Sequence, residues 1–186
     1  MRKIVGIIGD INFNGDTAKE QVARSLGEAL IDDGYRVVHG GLGDIARAIS
    51  TGARNSSRYS DGDLIAVLPG FDPNDACETA DIVLATGLDM ARNMIIANSD
   101  AVIAIGGGAG TLSEIAYAWS LKRMIIAYDI DGWSGMLAGS RLDKRSRCSW
   151  SEDQIFKVKN AEEVLSILRT NLNRYQRRHN GIPVTK

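Results

Sequence analysis

Cysteine is scarce in this chain of 186 residues, and the two cysteines lie far apart in the sequence. Cys77 and Cys148 form no C-x-x-C pair, so the sequence indicates neither a disulfide framework nor a zinc site. A reducing cytoplasm is therefore the expected location. We predict no metal-binding residues.

Long apolar runs and an excess of one charge are also missing. Between Lys3 and Asp10 the apolar run is only about five residues long, too short for a signal peptide or a membrane span. Lysine and arginine number 22 against 23 aspartates and glutamates, and the formal net charge is -1. Such a balance argues against a large binding surface for nucleic acid. We expect a small-molecule ligand, with no membrane association and no nucleic-acid partner.

Two short basic segments, residues 141–147 and 174–179, depart from this balance. Binding of single-stranded nucleic acid would require aromatic side chains that stack among the charges. Only Trp150 and Tyr175 lie near these segments, so we interpret both as solvated surface. With 44% hydrophobic residues, the chain is typical of one globular domain, which we place at residues 1–175. Residues 176–186 are expected to form a flexible tail.

Apolar runs alternate with segments of helical periodicity, a pattern typical of a parallel sheet with helices on both faces. We predict an α/β fold, a three-layer Rossmann-like, doubly wound parallel sheet of about seven strands in the order 3-2-1-4-5-6-7. The predicted strands are residues 4–8, 36–39, 64–68, 82–85, 101–105, 124–127 and, more weakly, 155–158. The predicted helices are residues 17–32, 44–55, 89–98, 111–122 and 161–175.

The link between the third and fourth predicted strands, residues 69–80, has no helix, because Pro69-Gly70 and Pro73 interrupt it. In the predicted order this link passes over two strands, about 14 Å sideways at about 4.8 Å per strand, which an extended chain of this length can span. The switch in strand order, where ligands bind in such sheets, then falls between the first and fourth strands.

The most informative segment is residues 106–111, GGGAGT, which joins a strand-like run to a helix-like run. Glycines accept positive φ and let a ligand approach the backbone closely. The helix that follows directs its free N–H groups and positive dipole end toward an anion. We predict that this loop binds a phosphate. Glu114 lies one turn inside the helix, where it either complements the helix dipole or acts on a bound phosphoester.

Two further glycine turns follow the first and second strands, at Gly9 and at residues 40–43, GGLG. The first strand is not followed by G-x-G-x-x-G and the second does not end in an acidic residue, so NAD is disfavoured. The chain also lacks the lysine of a G-x-x-x-x-G-K-[ST] loop, which disfavours an ATPase. The remaining interpretation is a phosphate-bearing ligand that is bound without a lysine.

Three polar residues at the strand ends have alternative interpretations. Asp10 and Asn12 follow the first strand and either bind a base or sugar or form an Asx turn. His39 ends the second strand, and we favour a histidine with satisfied hydrogen bonds over a catalytic base. We assign Met90 and Met94, at helical spacing, to the core.

Several motifs resemble the Lonely guy (LOG) superfamily, long mislabelled as lysine decarboxylase. They are residues 87–93 (GLDMARN), 98–105 (NSDAVIAI) and 106–119 (GGGAGTLSEIAYAW). Residues 40–43, Ala53 and residues 68–70 are similar to the branch that contains the molybdenum cofactor carrier proteins. The resemblance covers residues 3–133. It implies a seven-strand Rossmann-like sheet and a homodimer or higher homo-oligomer.

The resemblance also implies an activity. In LOG enzymes the GGxGTxxE loop and an upstream arginine hydrolyse the N-glycosidic bond of a nucleoside 5′-monophosphate. Glu114 and Arg92 match that glutamate and arginine. Gly106 and Asn93 stand where LOG enzymes have proline and lysine, and these departures favour the carrier branch. The alternatives are therefore a phosphoribohydrolase and a non-catalytic carrier or sensor of molybdenum cofactor or another phosphorylated ligand.

The predicted site combines the motifs with the strand-end turns. Arg92 and Glu114 are the predicted catalytic residues. A carboxylate beside the sugar would stabilise the oxocarbenium-like charge of glycoside cleavage, and an arginine would grip phosphate or orient the carboxylate. The predicted ligand-binding residues are Gly9, Asp10, Gly40, Gly41, Gly43, Asn93, Gly107, Gly108, Gly110 and Thr111. No cofactor is required, and the expected ligand is an AMP-like nucleotide, phosphate or molybdenum cofactor.

Overall fold

The structure, a computed structural model of the chain, describes residues 1–175, so the predicted tail, residues 176–186, lies outside the described residues. Its centre is a parallel sheet of seven strands in the order β4-β3-β2-β1-β5-β6-β7. The strands are β1 (Ile4–Gly9), β2 (Arg36–His39), β3 (Leu64–Leu68), β4 (Ile82–Ala85), β5 (Ala101–Ile105), β6 (Met124–Tyr128) and β7 (Ile155–Val158). Each strand lies close to the residues predicted from the apolar runs.

Helices cover both faces of the sheet. On one face lie α1 (Thr17–Asp32), α2 (Gly43–Asn55) and α6 (Ala161–Asn171). On the other face lie α3 (Asn93–Ala97), α4 (Ala109–Ser120) and α5 (Trp133–Leu137). The predicted class, a doubly wound parallel α/β sheet, is confirmed.

Local sequence signals account for the first βαβ unit. The Asp16 carboxylate caps α1 by accepting hydrogen bonds from the amides of Ala18 and Lys19, at 3.0 and 3.1 Å. Helices α1 and α2 approach each other so closely at Gly52 that a β-carbon there would lie 1.9 Å from the carbonyl oxygen of Arg24. This close packing fixes α2 beside the end of β1, where the predicted site lies.

The fourth strand requires a correction. We predicted that it lies beside the first strand, whereas β4 lies at the edge of the sheet and pairs only with β3. The preceding link folds into a 3-10 turn at Pro73–Asp75, and the Cys77 amide donates to the Gly41 carbonyl at 2.8 Å. The link therefore does not cross the sheet, and the chain returns as the neighbour of β3. The sheet is crossed by residues 86–100 instead, and the switch in strand order lies between β1 and β5.

That crossing segment also corrects the predicted helix over residues 89–98. It consists of a 3-10 turn, Asp89–Arg92, followed by the short helix α3, and Asp89 has a φ of 50°. Met90 and Met94, which we assigned to the core, are 56% and 47% exposed. A helix of this length cannot cover β2, β3 and β4, so an apolar groove of about 620 Å³ stays open on this face. We call it the open groove; it is lined mainly by Val38, Ile65, Val67, Leu84, Leu88, Met94 and Ile95.

Two further observations concern the described part of the chain. Across residues 1–175, no helix has the length and apolar character needed to cross a membrane. Within the same residues, no group of three or more histidine, cysteine or acidic side chains could hold a metal ion.

Candidate functional site

A cavity of about 350 Å³ lies at the carboxyl ends of β1 and β2, beside the start of α4. It brings together most of the residues predicted from the motifs: Gly9, Gly40, Arg92, Asn93, Gly108, Gly110, Thr111 and Glu114. Four predicted residues, Asp10, Gly41, Gly43 and Gly107, do not line it. The strand ends gather these groups because a parallel sheet presents all its carboxyl ends at one edge.

The glycine loop before α4 requires glycine at its first two positions. Gly106 and Gly107 have φ values of 65° and 97°, which side chains rarely adopt. A β-carbon at Gly106 would lie 2.1 Å from Asp10 Oδ2, and one at Gly107 would lie 2.2 Å from Thr111 Oγ1. The loop is therefore wrapped tightly around its neighbours.

Those two amides are bound by the protein itself. The Gly106 N–H donates to Ser134 Oγ at 2.8 Å, and the Gly107 N–H donates to Asp10 Oδ1 at 2.9 Å. Asp10 Oδ2 also forms an ion pair with Lys19 Nζ at 2.7 Å. Asp10 and Gly107 thus hold the loop in shape and do not line the cavity, whereas we predicted that both bind the ligand. Sequence reasoning missed Ser134 and Lys19, because no motif links them to the loop.

The N-terminus of α4 provides free N–H groups at the cavity. Its N-cap residue, Gly108, supplies no side-chain cap, and its first turn contains no acidic residue. The first amides of a helix have no intrahelical partner, so those of α4 are available to an anion. Gly110 and Thr111 line the cavity, and Thr111 Oγ1 donates to the Gly9 carbonyl at 3.2 Å, which ties this turn to the end of β1.

Arg92 lines the same cavity, with its guanidinium against Gly40. A β-carbon at Gly40 would lie 2.5 Å from Arg92 Nη1 and 3.2 Å from Cζ. Among the residues that the structure describes, the buried Nη1 has no hydrogen-bond partner. Burial lowers the pKa of Arg92, and the Glu114 carboxyl acts in the opposite direction. A buried guanidinium nitrogen without an acceptor is well suited to an anionic ligand.

Glu114 is only 7% exposed and lines the same cavity. Burial raises its pKa from 4.5 to about 7, although the charge of Arg92 counteracts part of this effect. In the described chain, no ion pair of 4.0 Å or less joins Glu114 to Arg92. The two side chains therefore face a common space and do not form a buried strut.

Asn93 connects the two elements that carry this pair. Its side chain is almost fully buried, and Nδ2 donates to Ser113 Oγ at 2.9 Å. Ser113 Oγ in turn donates to the Gly110 carbonyl at 2.7 Å. Asn93 thus fixes the position of the adjacent Arg92 relative to the first turn of α4.

The glycines after β2 shape the wall of the cavity from behind. A β-carbon at Gly41 would lie 2.6 Å from Leu68 Cδ2, and one at Gly43 would lie 2.4 Å from the Ile11 carbonyl oxygen. Both residues have positive φ and allow close packing, which is the reason for glycine there.

Asn12 accepts a hydrogen bond from the Asn14 amide at 2.7 Å, so it forms an Asx turn.

An apolar wall of the cavity was not predicted. It is formed by Ile11, Leu42, Ile45 and Met90. Ile11 lies in a loop and is 69% exposed. Met90 belongs to this wall and not to the core. The sequence signal for this wall was Ile11, an apolar residue within a polar turn. Such a wall suits the face of a planar ring.

One residue of the basic segment 141–147 has a structural role. Arg147 is buried, its guanidinium lies 3.6 Å from the Trp119 ring, and it forms an ion pair with Asp153 at 2.7 Å. Its Nη1 also donates to the carbonyls of Trp119 and Arg123, at 3.3 and 3.0 Å. Our interpretation of residues 141–147 as solvated surface is therefore wrong at Arg147, which anchors this segment to the end of α4.

A doubly wound parallel sheet with a helix N-terminus at its switch point defines a Rossmann-like α/β protein. Residues 2–166 match the model of the SLOG cluster4 family, and the chain belongs to that family. An uncharacterised protein from Archaeoglobus fulgidus is 39% identical over 116 residues, which are 61% of this chain and 72% of that protein.

Solved structures show the same fold. The molybdenum cofactor binding protein of Rippkaea orientalis has a TM-score of 0.73 and 27% identity, over 91% of this chain and 97% of that one. DNA processing protein A from Helicobacter pylori has a TM-score of 0.62 and 17% identity, over 91% and 81% of the two chains. The second likeness concerns the fold alone. The resemblance to the LOG-like and molybdenum cofactor carrier-like families, inferred from the motifs, is confirmed.

Proposed function

We propose that this protein binds a phosphorylated, nucleotide-like ligand, with the phosphate at the N-terminus of α4. The observation that carries the proposal is the meeting of two unsatisfied donor groups in one cavity. The uncapped first turn of α4 supplies free amides, and Arg92 supplies a buried Nη1 with no acceptor among the described residues. Both favour an anion, and phosphate has enough acceptor oxygens to satisfy both.

The remainder of the ligand fits the apolar side of the cavity. Ile11, Leu42 and Met90 lie there, and the volume of about 350 Å³ is within the usual range for small-molecule sites, about 300–1,000 Å³. A nucleobase or a pterin has the flat apolar faces that such a wall accommodates. We also propose a cytoplasmic location, because both cysteines are free thiols.

Hydrolysis of a nucleoside 5′-monophosphate is the first form of this function, supported by the position of Glu114. An ionised Glu114 beside the sugar would take a proton from water as its oxygen attacks the anomeric carbon. The bond from that carbon to the base nitrogen breaks, and the base leaves with the bonding electrons and accepts a proton. Free base and ribose 5-phosphate are the products.

Carriage without turnover is the second form. It is supported by the likeness to the molybdenum cofactor binding protein of Rippkaea orientalis, at 27% identity. Molybdenum cofactor would be cargo, with its phosphate at α4 and its ring system along the apolar wall. Glu114 would then contribute only to the electrostatics of the cavity. The same Arg92 and α4 groups serve both forms, so binding tests the shared proposal and turnover separates its two versions.

Mass spectrometry of ligands that co-purify with the native protein tests the proposal directly. We expect a phosphorylated heterocyclic compound to be released on denaturation. In parallel, nucleoside monophosphates incubated with the protein should raise its melting temperature, and chromatography should detect free base if the protein is a hydrolase. Stabilisation without base release supports the carrier. If no phosphorylated compound co-purifies or stabilises the protein, the proposal is wrong.

We further propose that the open groove binds a second copy of the chain. Leu84 and Met94, which line the groove, are each 47% exposed, and Leu84 belongs to the edge strand β4. Monomers rarely expose an apolar surface of this kind, and a twofold contact would bury two such grooves together.

We therefore expect Met94→Asp to convert a dimer to a monomer, because a carboxylate would be buried without a partner. Sedimentation velocity at several concentrations measures the change. Met136→Asp is the matched control, since Met136 is 69% exposed on α5 and lies away from the groove. A wild-type protein that sediments as a monomer would contradict the proposal, as would a dimer unaffected by Met94→Asp.

A further inference from the structure

His39 has a hydrogen-bonding arrangement that defines its tautomer. It is the last residue of β2 and is fully buried. Its Nδ1 lies 3.0 Å from the Gly41 nitrogen, which can only donate, so Nδ1 must carry the lone pair. Nε2 therefore carries the hydrogen and donates to Ser50 Oγ, also at 3.0 Å. Both nitrogens are satisfied, as the sequence led us to expect.

These two bonds join different parts of the molecule. Ser50 lies in the buried face of α2, which is packed on α1. Gly41 lies in the turn after β2, has a φ of 75°, and follows Gly40 directly. His39 thus ties the turn to the helix behind it. The Gly41 amide would otherwise be a buried donor in need of an acceptor.

The turn held by His39 is the surface on which Arg92 rests. From a β-carbon at Gly40, Arg92 Nη1 would be 2.5 Å away, Nη2 3.0 Å and Cζ 3.2 Å. All three guanidinium atoms therefore lie close to the Gly40 backbone. A shift of this turn by even a few tenths of an ångström would move the guanidinium relative to α4.

Charge adds a second reason for a neutral imidazole at this position. Burial, and to a lesser extent the positive charge of Arg92, lower the pKa of His39 from 6.5 to about 4. The imidazole is thus neutral near physiological pH and does not repel the guanidinium. A lysine here could not accept from the Gly41 amide and would add a second buried cation.

We propose that His39 is a positioning residue for phosphate binding: its Nδ1 holds the Gly40-Gly41 turn and thereby sets the place of the Arg92 guanidinium. The inference rests on the proposed function of the cavity. It assigns His39 a role through Arg92 and no contact with the ligand, and His39 is not among the residues that line the cavity.

Two conservative substitutions separate the two hydrogen bonds. In His39→Asn the amide oxygen can take the place of Nδ1 and still accept from Gly41, while the bond to Ser50 is lost. In His39→Gln the longer side chain can still donate to Ser50, while Gly41 loses its acceptor. Ser50→Ala is the matched control, because it removes the same bond as His39→Asn without touching the turn.

The measurement is calorimetric titration with inorganic phosphate, together with the melting temperature of each variant. We expect His39→Gln to weaken phosphate binding about tenfold, equivalent to one lost hydrogen bond of about 1.4 kcal/mol. His39→Asn and Ser50→Ala should bind phosphate within about threefold of wild type, whatever their loss of stability. Equal affinities across the series would overturn the inference, because His39 would then be only a packing residue.

A double-mutant cycle with Arg92→Ala distinguishes the route of the effect. If His39 acts through Arg92, His39→Gln should have no further effect once the guanidinium is absent. An undiminished effect in that background would also overturn the inference. Gly40→Ala is a second test if His39→Gln does not fold, since its β-carbon displaces the guanidinium directly. Failure of wild type to bind phosphate would instead count against the proposed function itself.

Discussion

Gly108→Asp is expected to abolish phosphate binding while leaving the fold intact. Gly108 has φ −100° and ψ −151°, and a β-carbon there would meet no atom within 4 Å, so an aspartate fits without strain. As the N-cap residue it would accept hydrogen bonds from the first-turn amides of α4 and so occupy the donors assigned to phosphate. Its negative charge would also repel the anion. We expect at least a hundredfold loss of affinity, about 3 kcal/mol, and a gain of about 1 kcal/mol in stability from the new cap.

Two neighbouring substitutions separate charge from steric and capping effects. Gly108→Asn has nearly the same shape, caps the helix and carries no charge, so an intermediate loss of affinity is expected. Gly108→Ala neither caps nor repels and should bind phosphate nearly as wild type does. Calorimetric titration with phosphate and thermal melts measure both properties on the same samples. Undiminished binding by Gly108→Asp would place the anion elsewhere than at α4.

Hydrophobic patterning predicted the sheet but not the place of every strand. Each strand is built on a short apolar run, and this pattern survives whatever neighbour the strand takes. The position of β4 depends on the link before it, which contains no α-helix and is long enough for either order. The link is held by the hydrogen bond from the Cys77 amide to the Gly41 carbonyl, which joins backbone atoms that no residue pattern specifies. The 3-10 turn Asp89–Arg92, which replaces the first part of the predicted helix, was equally hidden.

The candidate site was likewise predicted only in part. Arg92, Glu114 and the first turn of α4 were predicted because they belong to motifs or to loops at strand ends, which the fold brings to one edge. We predicted that Asp10 and Gly107 bind the ligand, whereas the Asp10 carboxylate accepts the Gly107 amide and neither residue lines the cavity. Ser134 contacts Gly106 from 28 residues away in the sequence. Only the folded chain reveals such a contact.

Glu114→Gln is expected to change the pH dependence of stability with a definite sign. Burial raises the pKa of Glu114 from 4.5 to about 7, so the folded protein binds this proton more tightly than the unfolded chain. The stabilising effect is complete below the unfolded pKa of 4.5 and is lost as the pH rises through about 7. Since a tenfold change in proton affinity is worth about 1.4 kcal/mol, the total is at most about 3 kcal/mol.

Glutamine keeps the shape of the protonated acid and cannot ionise, so its stability should not respond to this titration. Relative to wild type, Glu114→Gln should therefore gain up to about 3 kcal/mol between about pH 4.5 and pH 8. Urea unfolding at a series of pH values measures the difference, from which other titrating groups largely cancel. Glu162→Gln is the control, because Glu162 is an exposed carboxylate on α6. A difference that does not vary with pH would show that Glu114 is not buried as described.

The same titration controls ligand binding and turnover in opposite directions. An ionised Glu114 repels an anion in the cavity, so wild-type affinity for sulfate, whose charge is constant in this range, should fall as the pH rises through about 7. Base release, if the protein is a hydrolase, should rise over the same interval, since only the carboxylate activates water. Glu114→Gln should bind sulfate equally at all these pH values and lose about 10²–10⁴-fold in turnover. Loss of turnover with retained, pH-independent binding would identify Glu114 as the catalytic carboxylate. Turnover that survives the substitution would remove it from the mechanism.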